Sequence, residues 1–184
     1  TIEIKEIKLH KIDNTTKNSN ATNNVNSNNF WSNDKLKLWK HFHNCNGKVV
    51  NNILSVNITK SDSKIFTNNL SVNPKDANVF VIVYRANNIK ATSGELYFAR
   101  DKENFSDARK WRIPALISDN TWHTLKIDDK YLNNKDQWYN KGVVTKLRLD
   151  PTNAAGGTIE IKEIRFEKKN SIKALPKITV KMDE

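Results

Sequence analysis

The 184 residues suit one domain with flanking segments, and 37% hydrophobic content with five Trp, seven Phe and four Tyr fills one core. The net charge of +11 comes largely from Lys scattered among Asn and Ile, the pattern of a solvated surface. No Arg-rich helix, zinc-finger spacing or aromatic RNP-type motif accompanies it, which excludes the common nucleic-acid readers. A single cysteine, Cys45, excludes an intrachain disulfide framework, and no apolar run is long enough to insert into a membrane.

In chain order, the first element is Thr1–Leu9, TIEIKEIKL, which returns near the other end as Thr158–Phe166, TIEIKEIRF. Each copy joins two period-2 apolar runs through one slipped residue, the signature of a strand with a β-bulge. Ile2, Ile4, Ile7 and Leu9 form one apolar set, and Ile159, Ile161, Ile164 and Phe166 the other. Residues 1–12 are therefore either a strand of the sandwich or the tail of a preceding tandem repeat. Residues 13–29 are nearly all Asn, Thr, Ser and Lys, and read as a linker or long loop, because they bury too little apolar surface to offset ordering. The main domain spans 30–169, and 170–184 is a connector towards another strand or domain.

Within the domain, Asn52–Thr59 alternates as a strand, and the continuous apolar run Val79–Ala86 reads as a central strand. Glu95–Arg100, Trp111–Leu116, Trp122–Asp128, Val143–Asp150 and Thr158–Glu167 follow as strands. Turn chemistry separates them at Asn73-Pro74, Thr92-Ser93-Gly94, Ser118-Asp119-Asn120 and Ala155-Gly156-Gly157. Residues 129–138 hold one helical turn or an ordered loop. Leu147 and Leu149 alternate with Lys146, Arg148 and Asp150, so the leucines point to the core, and Pro151 ends that strand. Short strands at this spacing, without an amphipathic helix, define an all-β, antiparallel jelly-roll β-sandwich as the expected fold.

The stretches WHTLKID (Trp122–Asp128), QWYNKG (137–142), VTKLRLDP (Val144–Pro151) and GTIEIKEIRF (Gly157–Phe166) resemble the C-terminal half of bacterial jelly-roll carbohydrate-binding modules. These are galactose-binding-like domains, similar to the family 4, 9 and 22 modules, attached to carbohydrate-active enzymes. GKVVNNILSVNIT, VFVIVYRA and GELYFARD match the earlier part of that pattern in order, so the resemblance covers roughly Phe30–Glu167. It implies a non-catalytic module that holds a larger carbohydrate-active protein on a poly- or oligosaccharide. The alternative is a structural or interaction sandwich in a glycosyltransferase or other glycan-processing enzyme, with no sugar site of its own. The resemblance also implies a structural calcium site, tied to an acidic residue just after the second isoleucine of the last strand. This chain departs from that pattern with Lys162-Glu163 there, leaving Glu163, with help from Glu6 or Glu3 of the first strand, to supply carboxylates.

A sugar site needs exposed aromatics for the C–H faces and directed polar groups for the hydroxyls. Positions out of phase with the core nominate Tyr84 or Arg85, Tyr97, Arg100 and Trp111, with Trp31 and Trp39 near the rim. The basic balance suits an acidic polysaccharide, with Arg85, Arg100 and Lys126 pairing uronate carboxylates. His41 and His43 share one side of a strand but have no third metal ligand at a sensible spacing. No GxSxG motif or Ser/Cys–His constellation stands out, and no carboxylate pair is singled out for glycoside hydrolysis, so this fragment is expected to be non-enzymatic. The expected partners are a glycan and adjoining domains of the same polypeptide. The chain starts at Thr1 without a signal peptide and reads as an excised fragment or mature product. Its location follows its parent: outside the cell with a hydrolase, cytoplasmic with a glycosyltransferase.

Overall fold

A computed structural model describes residues 35–90 and 92–169. The terminal segments 1–12, 13–29 and 170–184, together with Glu6, His10 and Trp31, lie outside the described residues. Among the described residues, ten strands form two five-stranded sheets, joined by loops, three short 3-10 turns and one α-helix. The strands are β1 (His41–His43), β2 (Cys45–Val50), β3 (Ile53–Ile58), β4 (Lys64–Thr67) and β5 (Val79–Asn87). β6 (Gly94–Ala99), β7 (Lys110–Ile113), β8 (Asp119–Asp128), β9 (Lys146–Asp150) and β10 (Thr158–Glu167) complete them. One sheet runs β1-β4-β9-β6-β7 and the other β2-β3-β10-β5-β8, with every pair antiparallel. From β3 to β10 the order is 4-9-6-7 against 3-10-5-8. That is the double Greek key of a jelly roll, and it bears out the expected fold.

Seven strands fall where apolar pattern and turn residues put them. β1 agrees with the reading of His41 and His43 as one side of a strand, whereas β2 and β4 are not expected as strands. β4 has only four residues, while β2 reads CNGKVV, where Gly47 and the adjacent Val49 and Val50 blur any alternation. Asparagine, abundant in this chain, makes the joints. Asn51 and Asn52 both take positive φ (50° and 60°) between paired Val50 and Ile53, the two-residue geometry that matches strand twist. Asn44 (φ 55°) turns the chain from β1 in one sheet to β2 in the other.

β10 lies in the middle of its sheet, between β3 and β5. Its register with β5 slips between Ile161 and Glu163, so the expected bulge is present. The slip keeps Ile159, Ile161, Ile164 and Phe166 all on the core face, each no more than 2% exposed. Inside the sandwich Trp138, on α1 (Lys135–Tyr139), meets Phe98, Trp111 and Phe166 with ring centroids 4.8, 5.3 and 5.2 Å away. Its Nε1 donates to the Ala77 carbonyl at 2.8 Å.

The entry to β10 is tight. Gly157 has φ +89°, and a Cβ there would sit 2.5 Å from the Asn88 carbonyl oxygen and 2.7 Å from that of Asn87. Gly156 has φ +92° but open space around it. Gly157→Ala is therefore expected to lose about 2 kcal/mol or more, from left-handed strain plus a backbone clash, and Gly156→Ala only the strain. Urea unfolding of the two variants side by side checks this; equal losses would mean the clash relaxes away.

Candidate functional site

The outward face of the β1-β4-β9-β6-β7 sheet carries the site. Register lines up His41 with Phe66, Phe66 with Arg148, Arg148 with Tyr97, and Tyr97 with Lys110. Five side chains thus form one row across five strands, about 19 Å long at the ordinary ~4.8 Å strand spacing. One residue pair further along, Asp150 faces Glu95 and Glu95 faces Arg112 on the same side.

The loop between β6 and β7 folds over one end of this row. Lys146 on β9 donates to the carbonyls of Asp101 (2.9 Å) and Glu103 (2.8 Å), which fixes the loop. Phe105 is thereby set 6.1 Å from Phe66, ring to ring. His41, Phe66, Thr67, Asn68, Phe105 and Lys146 line an open cleft of about 310 Å³.

Charged groups in the middle of the row neutralise one another. The Arg148 guanidinium lies 3.7 Å from the Tyr97 ring centre and binds Asp150 through two hydrogen bonds of 2.9 and 2.8 Å. Lys110 donates to Glu95 (2.5 Å) and Asp107 (2.9 Å), and the Tyr97 hydroxyl donates to the same two carboxylates at 2.6 and 3.2 Å. Burial, with the Glu95 carboxylate beside it, pushes the Tyr97 phenol up to about 12. Burial raises the Glu95 carboxyl, but bonds from Lys110 and Tyr97 outweigh it and hold the group below the usual carboxylate range. Bonds from Lys110 and then Tyr97 do the same for Asp107.

The sequence-predicted residues do not converge. Tyr84 points into the core, 3% exposed, where its hydroxyl accepts from the Ile117 amide at 3.0 Å. Trp111 is wholly buried and Trp39 is 2% exposed, so neither offers a face to a ligand. Arg85 lies on the outward side of the other sheet, ion-paired to Glu160 and 5.1 Å from the Trp122 ring. Arg100 ties loops together: its Nη2 donates to the carbonyls of Gln137 (2.9 Å) and Gly142 (3.2 Å). Only Tyr97 lies on the row, and it is 7% exposed beneath Arg148. The three cations assigned to uronate pairing are dispersed and already matched: Arg85 with Glu160, Arg100 with Glu103, and Lys126 with Glu167.

Sequence reasoning missed Phe66, Phe105, Lys110 and Arg148. The alternation of Arg148 against Leu147 and Leu149 already placed it outward; its pairing with Tyr97 needed the register. Glu163, the expected calcium ligand, lies on β10. Its carboxylate is 2.6 Å from the Arg165 guanidinium, and no group of three or more metal-competent side chains exists among the described residues. Its suggested co-ligand Glu6 lies outside them.

No family model and no curated protein matches the chain. Solved structures similar to it include carbohydrate-binding modules. A family 29 module shares 7% identity with a TM-score of 0.48, covering 71% of this chain and 82% of its own. Another family 29 module, solved with cellulohexaose, shares 11% identity with a TM-score of 0.47 over 70% of this chain and 80% of its own. A low-affinity xylan-binding module from Roseburia intestinalis shares 11% identity with a TM-score of 0.44, over 68% and 84% respectively. Likenesses of this size speak to neither ligand nor role, and the jelly roll stands on the chain's own strand order.

Proposed function

We propose that this domain is a non-catalytic carbohydrate-binding module that holds a larger carbohydrate-active protein on a poly- or oligosaccharide. The observation that carries the reading is the transverse row from His41 to Lys110. Phe66 and Phe105 present aromatic surface at one end, and fixed donors and acceptors occupy the rest. Sugar rings need both, in a line long enough for several units. Binding, not hydrolysis, suits these carboxylates. Glu95 and Asp107 are held down, and Asp150, although raised to about 6, is 4% exposed and tied to Arg148 by two hydrogen bonds, so no pair among them faces a cleft as acid–base hydrolysis needs. Weak contacts of this kind gain strength when modules occur in series or beside a catalytic domain.

One observation favours a second reading. Tyr97 is covered by Arg148, so the central platform is closed. On that reading the domain is a structural sandwich serving a glycosyltransferase or other glycan-processing enzyme. A glycan array followed by titration of Phe66→Ala and Phe105→Ala separates the two. Each truncation removes part of the ~1.5–3 kcal/mol that burying a phenylalanine supplies, so affinity is expected to fall roughly tenfold with unfolding unchanged. Absence of binding by the unaltered chain would favour the structural role.

A further inference from the structure

Ion pairing is nearly complete among the arginines. Arg85, Arg100, Arg109, Arg148 and Arg165 each lie within 4 Å of a carboxylate. Arg112 alone, among the described residues, has none. It stands outward on the edge strand β7, two residues along from Lys110 and so next to the end of the row.

Its orientation is fixed by a neutral partner, while the Glu95 carboxylate opposite it on β6 is taken up by Lys110. Asn133 Oδ1 accepts from Arg112 Nε at 3.0 Å, and Asn133 is itself anchored by donating to the Asp107 carbonyl (2.8 Å) and, through its amide, to the Lys110 carbonyl (3.0 Å). That leaves the terminal nitrogens of the guanidinium as a pre-set fork of donors. The fork borders an open cleft of about 510 Å³ whose charged lining residues are Arg112 and Lys130, the latter 4.0 Å from the Asp128 carboxylate, with no carboxylate in the lining itself. Tyr131, Ile113 and Pro114 provide apolar walls, and Lys130 lies 5.3 Å from the Tyr131 ring. An anionic group attached to a ring fits this combination: bidentate donors for the anion, apolar surface for the body carrying it.

We infer that the cleft between β7 and the 130–133 segment is an anion subsite at the end of the glycan row, and that it selects a sugar bearing a carboxylate or sulfate. The inference rests on the glycan-binding reading of the row and narrows it to acidic glycans. It relocates the acid preference from Arg85, Arg100 and Lys126, which are paired, to Arg112.

Calorimetric titration tests it with three probes: an oligomer of uronic acid, its carboxyl-reduced neutral counterpart, and a sulfated oligosaccharide. The unaltered chain is expected to bind the uronate oligomer roughly tenfold more tightly than the reduced one, as a charge-assisted bond removed on one side predicts. Arg112→Gln, an exposed substitution, should erase that difference, so that the variant binds the acidic and the neutral oligomer alike. Phe66→Ala should weaken both. The preference should shrink as salt rises. Tighter binding of the uronate than of the sulfated probe identifies the planar carboxylate as the ligand, and the reverse order identifies sulfate. Equal affinity for acidic and neutral oligomers, or a preference that survives Arg112→Gln, overturns the subsite while leaving the glycan row standing. Failure of all three probes to bind removes the row and the subsite together.

Discussion

Trp111→Ala is expected to cost about 3–5 kcal/mol of folding stability, the range for truncating a large buried aromatic. Trp111 has no exposed surface and packs edge-on to Trp138 at 5.3 Å and against Phe166 at 5.9 Å. Those rings join β7, α1 and β10, so the cavity would open where both sheets and the helix meet. A domain of this size holds only about 5–15 kcal/mol in total, so the loss removes much of the margin. Trp111→Phe should recover most of it, because the indole Nε1 has no hydrogen-bond partner among the described residues to lose. Urea unfolding of the two variants measures the effect. A loss under about 1 kcal/mol for Trp111→Ala would mean the three-ring cluster is not the centre of the core. The result also governs binding experiments: any loss of glycan affinity in Trp111→Ala would report a damaged fold, not a missing platform.

How far the sequence reached depends on which physical signal each feature leaves. Thr158–Glu167 was readable to its bulge, because the slip in apolar phase is written in four residues. Leu147 and Leu149 were readable for the same reason. β4 was not, since KIFT is too short for a period to show. The site was harder. A strand's alternation separates two faces but does not say which is the core, and Trp111 and Tyr97 sit on neighbouring strands with opposite orientation. Chemical expectation then put the large aromatic outside, where burial free energy puts it inside. Phe66 and Phe105 come together only because Lys146 holds a loop over the sheet, a contact spanning more than forty residues. No local pattern encodes that. Arg148 over Tyr97 likewise follows from register between β6 and β9, which is set by the whole Greek key.

Asp150 should make the domain less stable as pH rises from about 4 to about 6. Burial pushes its carboxyl up to about 6, even against the paired Arg148 guanidinium and the nearby Lys64, while Glu95 adds to the rise. The folded protein therefore holds this proton more tightly than the unfolded chain does. The group's contribution is full below the unfolded value of 3.8 and is lost as pH climbs through the folded value. Moving the carboxyl from 3.8 to about 6 corresponds to about 3 kcal/mol. Asp119, held down to about 2 by bonds from His123 and Thr121, contributes with the opposite sign, as do Glu95 and Asp107. The raw pH profile mixes these, and the difference between the unaltered chain and Asp150→Asn isolates the one group. Asparagine keeps the shape and cannot titrate, so relative to the unaltered chain the variant should gain stability by up to that amount between pH 4 and 6, then level off. A difference that stays constant across the window would mean the Arg148 pair offsets burial fully and Asp150 is ionised throughout. The same proton bears on the site. A neutral Asp150 no longer holds Arg148 by two charge-assisted bonds, and Arg148 is what covers Tyr97. If Tyr97 serves as a platform, glycan affinity should change through the same pH window, and Asp150→Asn should remove that change.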